Sequence, residues 1–331
     1  MQKKRLYIIM CIVLAGCCLS CNNHTILTPP SSGRPYETLV VSERSYWDSI
    51  AGRSIAKVLN SDISILPLRE RAFRFMHVTP QQFDGTMKMV RSIIIIKINS
   101  RYTKPRMVLQ RNPYAAPQIV LAIEAADEAA FCKYVNANAS QIIKILVRFE
   151  MNTKILSLRE KHSGVVSQAI DTAFDGCSVF LPQEFHSVKV ADHFVWASTE
   201  TASVSQNFVM YSYPADTKTF TTSYFVAKRD SVMRRNIPGR SKGTYLSTDV
   251  SDLRLIQLKN RTEVRGLWRM KGDYMGGPFV SQLYINPSNH RIYVVEVFVY
   301  APDRPKGNLI RGLEASLFTL KMPVNHIKDK N

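Results

Sequence analysis

The residues that could carry chemistry are few and scattered. Outside the first 27 positions the histidines are His77, His162, His186, His193, His290 and His326, and none forms a His-x-x-x-His or His-Glu-x-x-His pair. A zinc site needs Cys or further His at ligand spacing, so no metal and no cofactor is expected. The chain has no Gly-x-Ser-x-Gly elbow, no phosphate-binding Gly-x-x-x-x-Gly-Lys and no Gly-x-Gly-x-x-Gly. Glu296, Glu314, Asp273 and Asp230 could pair as acid and base for glycoside hydrolysis if the fold brought two of them together. The most unusual stretch is Gly266–Phe279, which holds Trp268, Arg269 and the run Met275-Gly276-Gly277-Pro278-Phe279. Gly276 and Gly277 before a proline suit a turn with exposed amides, which is one way to build an anion nest. A bulge that lets flanking strands pack is the other reading. The binding reading groups Trp268, Arg269, Gly276 and Gly277 with Arg229 and Asp230: Arg229 would face an anion and Trp268 would stack on a sugar or peptide ring.

The N-terminus points to an address. Lys3, Lys4 and Arg5 precede an apolar run, Leu6–Ala15, too short to span a bilayer as a helix. The run ends in Leu14-Ala15-Gly16-Cys17, a pattern that lipoprotein signal peptidase accepts. Residues 1–16 are expected to be a signal peptide and Cys17 the lipidated residue, with Cys21 as the rival. Residues 17–34, with Pro29, Pro30 and Gly33, read as the lipidated cysteine and a flexible tether. The expected location is the cell envelope, on the outer or inner membrane and facing the periplasm.

The formal charge is +18, and without Lys3, Lys4 and Arg5 it is +15. An exported chain meets lipid headgroups and envelope polymers rather than nucleic acid. Expected partners are therefore the membrane, through the anchor, and an anionic envelope polymer or another envelope protein. Apolar content of 45% and charged content of 21% exclude a disordered chain. Cys132 and Cys177 are the only cysteines beyond the leader and tether, too few for a disulfide scaffold.

Hydropathy patterning predicts the elements that would position these residues. A helix is expected over Trp47–Leu59, another opened by Thr79-Pro80, and a long one from Asp127 to Glu160. Strands are expected at Ile93–Ile98, Met107–Gln110 and Gln118–Glu124. In the second half, helices over Val165–Phe174 and Phe220–Arg235 flank strands, and four strands run from Leu253 to Tyr300 before a closing helix, Gly307–Leu320. Short connections argue an α+β fold of mainly antiparallel sheets with helices on one face. Two similar-sized halves are expected, 35–162 and 163–322, followed by a polar tail, 323–331.

The chain also resembles an uncharacterised, domain-of-unknown-function lipoprotein family of Bacteroidetes-type bacteria. The likeness is carried by Met275-Gly276-Gly277-Pro278-Phe279, Leu66-Pro67, Ala116-Pro117-Gln118, Arg229-Asp230, Gly266-Leu267-Trp268, and Ala301-Pro302 with Lys306 and Leu313-Glu314-Ala315. The resemblance implies an envelope location and no activity. The functional expectation is a membrane-anchored binding or scaffolding module rather than an enzyme, with an envelope-polymer hydrolase as the alternative.

Overall fold

The computed structural model describes residues 28–199, 204–216, 220–239 and 241–323. Residues 1–16, Cys17, Cys21 and His326 lie outside them, as do residues 22–27 and nearly all of the polar tail. The fold is α+β, in two domains.

The N-terminal domain is a five-stranded sheet with the order β2-β1-β3-β5-β4. Its strands are β1 (Glu37–Val41), β2 (Arg74–Val78), β3 (Ser92–Ile98), β4 (Arg106–Arg111) and β5 (Ile119–Ala125). Its helices are α1 (Arg44–Trp47), α2 (Ile50–Leu59), the single turn α3 (Gly85–Lys88), α4 (Glu128–Ala137) and α5 (Ala139–Glu160). Alternation along the strands sends Val40, Ile94, Ile96, Leu121 and Ile123 to one face, where Ile55, Phe131, Val135, Ile142 and Leu146 of α2, α4 and α5 cover them. Leu39, Val41, Ile93 and Val120 point to the other face, under Phe83 and Met87.

The C-terminal domain is a seven-stranded sheet with the order β6-β7-β8-β12-β11-β10-β9. It comprises β6 (Ser187–Ala191), β7 (Phe194–Ser198), β8 (Ser205–Pro214), β9 (Tyr245–Gln257), β10 (Thr262–Lys271), β11 (Gly276–Asn286) and β12 (Arg291–Tyr300), with helices α6 (Gly164–Ala173), α7 (Thr222–Asn236) and α8 (Gly307–Leu317). All six of its pairings are antiparallel.

Antiparallel pairings prevail across the described residues, but β1–β2, β1–β3 and β3–β5 are parallel. Helices α1 and α2 lie in the crossover from β1 to β2, whereas β3 reaches β5 by way of the edge strand β4. The helices also occupy both faces of the larger sheet rather than one. Val166, Ile170, Ile310, Leu313 and Leu317 of α6 and α8 pack with Val195, Met210, Val295 and Val297. Phe225 and Met233 of α7 pack on the opposite face with Val209, Phe279, Val294 and Phe298.

Local chemistry explains where the elements differ from the hydropathy pattern. Asp127 caps α4 as its type suggests, its carboxylate accepting from the Ala130 N–H at 2.8 Å. The expected single helix breaks at Asn138, whose side chain donates to the Tyr134 carbonyl and whose backbone leaves the helical region (φ −111°, ψ 15°). After Thr79-Pro80 the chain forms turns, and only Gly85–Lys88 is helical.

Residues 29–34, read from sequence as the end of the tether, are bonded to the N-terminal domain. Pro29 O accepts from Ala116 N at 2.9 Å, Ser31 N donates to Ala116 O at 3.1 Å, and Ser32 N donates to Met89 O at 2.8 Å. Two successive prolines hold φ near its extended value, which keeps the segment alongside its partners. Cys132 and Cys177 are both free, and burial pushes the Cys177 thiol up to about 11.

Candidate functional site

Of the residues singled out from the sequence, Arg229, Glu296 and Trp268 lie in the closed core beneath α7. Helix α7 is opened by Thr221, whose hydroxyl accepts from Tyr224 N. Two turns later it drops Arg229 onto the sheet, where that side chain is fully buried. The Arg229 guanidinium meets the equally buried Glu296 carboxylate through Nε–Oε2 at 2.9 Å and Nη2–Oε1 at 2.7 Å. Its Nη1 donates to Thr248 Oγ1 at 2.9 Å, and Ser281 Oγ donates to Glu296 Oε2 at 2.5 Å. Asp230 closes the network by accepting from Thr248 N and Oγ1. The guanidinium carbon also sits 4.1 Å above the Phe279 ring.

Trp268 is 3% exposed, donates Nε1–H to Val299 O at 3.2 Å, and packs edge-on to Phe298. It has no free face for a ligand ring, and Arg229 has no free edge for an external anion. Gly276 and Gly277 begin strand β11 rather than a turn; the turn is Gly272–Met275. A Cβ on Gly277 would lie 2.0 Å from Val299 O, and one on Gly276 would lie 2.8 Å from Trp268 O. These glycines let neighbouring backbones approach. The ladder to β12 starts at Phe279, so the missing N–H of Pro278 falls just before it. Arg269 alternates to the exposed side. Of the four carboxylates, Asp230 and Glu296 share one network, joined through Arg229 and Thr248, and Glu314 and Asp273 lie apart from it. Glu296 lies under α7, Glu314 projects from α8 against the other face, Asp273 caps a turn through Tyr274 N, and Asp230 binds Thr248.

A second polar constellation joins the two domains around α8. Glu70, from the N-terminal domain, accepts from the Lys306 and Gly307 N–H groups at 2.6 and 2.8 Å, at the start of that helix. One turn on, Arg311 lies 3.7 Å over the Tyr36 ring and donates to Ala72 O. Arg265 pairs with Glu314 and, at 2.8 Å, with Glu263. Behind them Arg91 holds the buried Glu150 at 2.8 Å. Burial raises the Glu150 carboxyl above the usual range, with Arg91 opposing. Arg265 and Arg91 are paired with carboxylates, whereas Arg311 relies on ring and carbonyl contacts; the cavity lined by Arg265, Arg311 and Glu314 is about 230 Å³.

A wider groove opens where the domains meet on the outside, with a volume of about 640 Å³. Three segments each contribute one arginine: Arg34 before β1, Arg74 at the start of β2, and Arg304 in the loop before α8. All three are exposed, and among the described residues none has an ion-pair partner. Glu37, Glu184, Gln206 and Asn308 add acceptors and donors, and Pro35, Pro305 and Leu309 form an apolar wall. Sequence reading placed Arg34 in the tether. Arg74 lies beside Arg69 and Arg71 in the sequence, a local basic cluster with no motif of its own. Nothing in the spacing joined either to Arg304.

Among the described residues no three His, Cys, Asp or Glu gather as metal ligands, and no helix is long and apolar enough to cross a membrane. The histidines are spread out: His77 stacks on Trp47 at 4.5 Å, His162 stacks on Phe180, and His193 and His290 occupy positive-φ turn positions.

No curated protein matches the chain. Residues 31–159 match the family model described as domain of unknown function DUF8532. Residues 164–319 match that of domain of unknown function DUF4837. The protein is thus a pair of domains, each similar to a separate family of unknown function, that meet at residues 160–163 and lock together through α8.

Proposed function

We propose that this chain is a membrane-anchored module of the cell envelope that binds an anionic envelope polymer in the groove between its two domains. The anchor rests on the sequence alone: the basic and apolar leader, then Leu14-Ala15-Gly16 before Cys17, with Cys21 as the rival. The binding role rests on one observation, the convergence of Arg34, Arg74 and Arg304 on a single groove without acidic partners at ion-pair distance among the described residues. Three like charges so placed repel one another. They are offset best by a ligand that brings several negative groups and accepts in-plane N–H···O bonds. Glu37 and Glu184 suit hydroxyl or amide donors on the same ligand. An acidic polysaccharide has both kinds of group.

The test is a titration of wild type and of Arg74→Ser/Arg304→Ser with acidic envelope glycans at rising salt. A charge-assisted hydrogen bond is worth about 1.5–3 kcal/mol, roughly tenfold or more in affinity. Loss of two should weaken binding by about a hundredfold and flatten its salt dependence. Equal affinity in the folded double variant would refute the groove. Release of reducing ends from the polymer, abolished by Glu37→Gln or Glu184→Gln, would favour the hydrolase alternative.

A further inference from the structure

We propose a second site, on the face of the N-terminal domain beside the first described residues: a pocket between edge strand β4 and helix α5 that seats the phosphate of an anionic phospholipid. The proposal rests on the anchor reading above and gives the anchored domain an orientation.

The pocket measures about 270 Å³, and among the described residues no acidic side chain lines it. Arg111 from β4 and Arg148 from α5 reach into it from opposite walls. Both are exposed, and neither has an ion-pair partner among the described residues. The Asn112 carboxamide oxygen is taken by the Gln118 N–H at 2.7 Å, so its amide group is the end available to an acceptor. Along α5, Lys144, Arg148, Asn152 and Leu156 recur every fourth residue and form one exposed stripe. Leu109 and Leu156 flank the pocket at 43% and 56% exposure. A free phosphate would gain nothing from two exposed leucines. A phospholipid would, because leucines entering the acyl boundary place the guanidiniums at the depth of the phosphates.

Position supplies the independent argument. The described residues begin beside this pocket, since Pro29 and Ser31 bond to Ala116, next to the lining residue Pro117. Cys17 stands twelve residues before Pro29 and Cys21 eight. Fully extended, those lengths span at most about 40 and 30 Å. An acyl chain on either cysteine would therefore hold this face within that reach of the headgroups. A basic patch kept so close is drawn to an anionic surface.

The test uses the full protein purified from membranes, with its N-terminal mass read first, in lipid nanodiscs of phosphatidylcholine with or without phosphatidylglycerol. Hydrogen exchange is followed over residues 106–112 and 145–156. Phosphatidylglycerol should slow exchange there at least threefold in wild type and leave Arg111→Ser/Arg148→Ser unaffected. Both side chains are exposed, so the variant should melt with wild type. Equal exchange in the two discs, or a phosphatidylglycerol effect that survives in the variant, would overturn the site. Protection by inorganic phosphate alone in phosphatidylcholine discs would overturn the lipid assignment. A terminus without fatty acid, combined with arginine-dependent sedimentation on phosphatidylglycerol vesicles, would keep this site and remove the anchor.

Discussion

Replacing Glu296 by Gln should unfold the C-terminal domain more readily than any exposed substitution. Arg229 and Glu296 are both fully buried, share paired N–H···O contacts, and have their remaining groups bound by Thr248 and Ser281. Glu296→Gln removes the charge that neutralises Arg229. Among the described residues only Asp230, at 3.6 Å, remains as a carboxylate near the guanidinium. Breaking a buried pair from one side costs about 3–5 kcal/mol. With a urea slope of about 2 kcal/mol/M, the midpoint should fall by roughly 2 M. Arg229→Met should cost a similar amount by stranding the carboxylate. The double variant Arg229→Met/Glu296→Leu should recover most of the loss, because two apolar side chains owe no desolvation penalty. Urea titration read by fluorescence suits the test, since Trp268 packs on the same face of the sheet. A Glu296→Gln midpoint within 0.3 M of wild type (about 0.6 kcal/mol on that slope), or a double variant as unstable as the sum of the singles, would refute this account of the network.

Gly277→Ala should fail to fold or lose several kcal/mol, because its Cβ would meet the Val299 carbonyl, whereas Gly312→Ala in α8 meets nothing within 4 Å and should gain about 1 kcal/mol; thermal melts compare them. Burial holds the His77 imidazole below its ordinary pKa, with nearby Arg44 acting in the same direction and the Ser42 carbonyl opposing. The neutral form is thus favoured by folding, and its contribution is present above about pH 6.5 and is lost as pH falls through the lower folded value. A His77→Phe variant should show a flatter pH–stability curve over that window, and NMR titration of His77 checks the sign. Glu70→Ala removes the carboxylate bound to the Lys306 and Gly307 N–H groups and should cost about 1–2 kcal/mol, and an unchanged urea midpoint would exclude it as a cap.

Most elements were legible because their signals are local. The Ile93–Ile98 run, the apolar spacing of Trp47–Leu59 and the Asn286-Pro287-Ser288-Asn289 turn each report on their own neighbourhood, and the structure has β3, α1 with α2, and the β11–β12 hairpin there. The pairing sense of β1, β2 and β3 was not legible, since it depends on which strands meet across crossovers. Gly276-Gly277-Pro278 resembles a turn by composition, yet these residues are in a strand. What decides is the approach of Val299 O, 22 residues away, which no local pattern encodes. Arg229 and Trp268, grouped from sequence, lie on the same face of the sheet, each with its own partners. Their burial was not readable, because the residue that answers Arg229 is Glu296 on a different strand. The groove was illegible for the same reason: positions 34, 74 and 304 become neighbours only once both domains are docked.

That docking has an evolutionary and practical corollary. The last helix is encoded with the second domain, but its opening amides are satisfied by Glu70 and its Arg311 is sheathed by Tyr36. Neither module could be transplanted beside a stranger without stranding a carboxylate on one side and bare amides and a guanidinium on the other. The two would be expected to travel through genomes as a couple, and a laboratory cut at residues 160–163 should yield halves that clump or seek each other out rather than two independent soluble pieces.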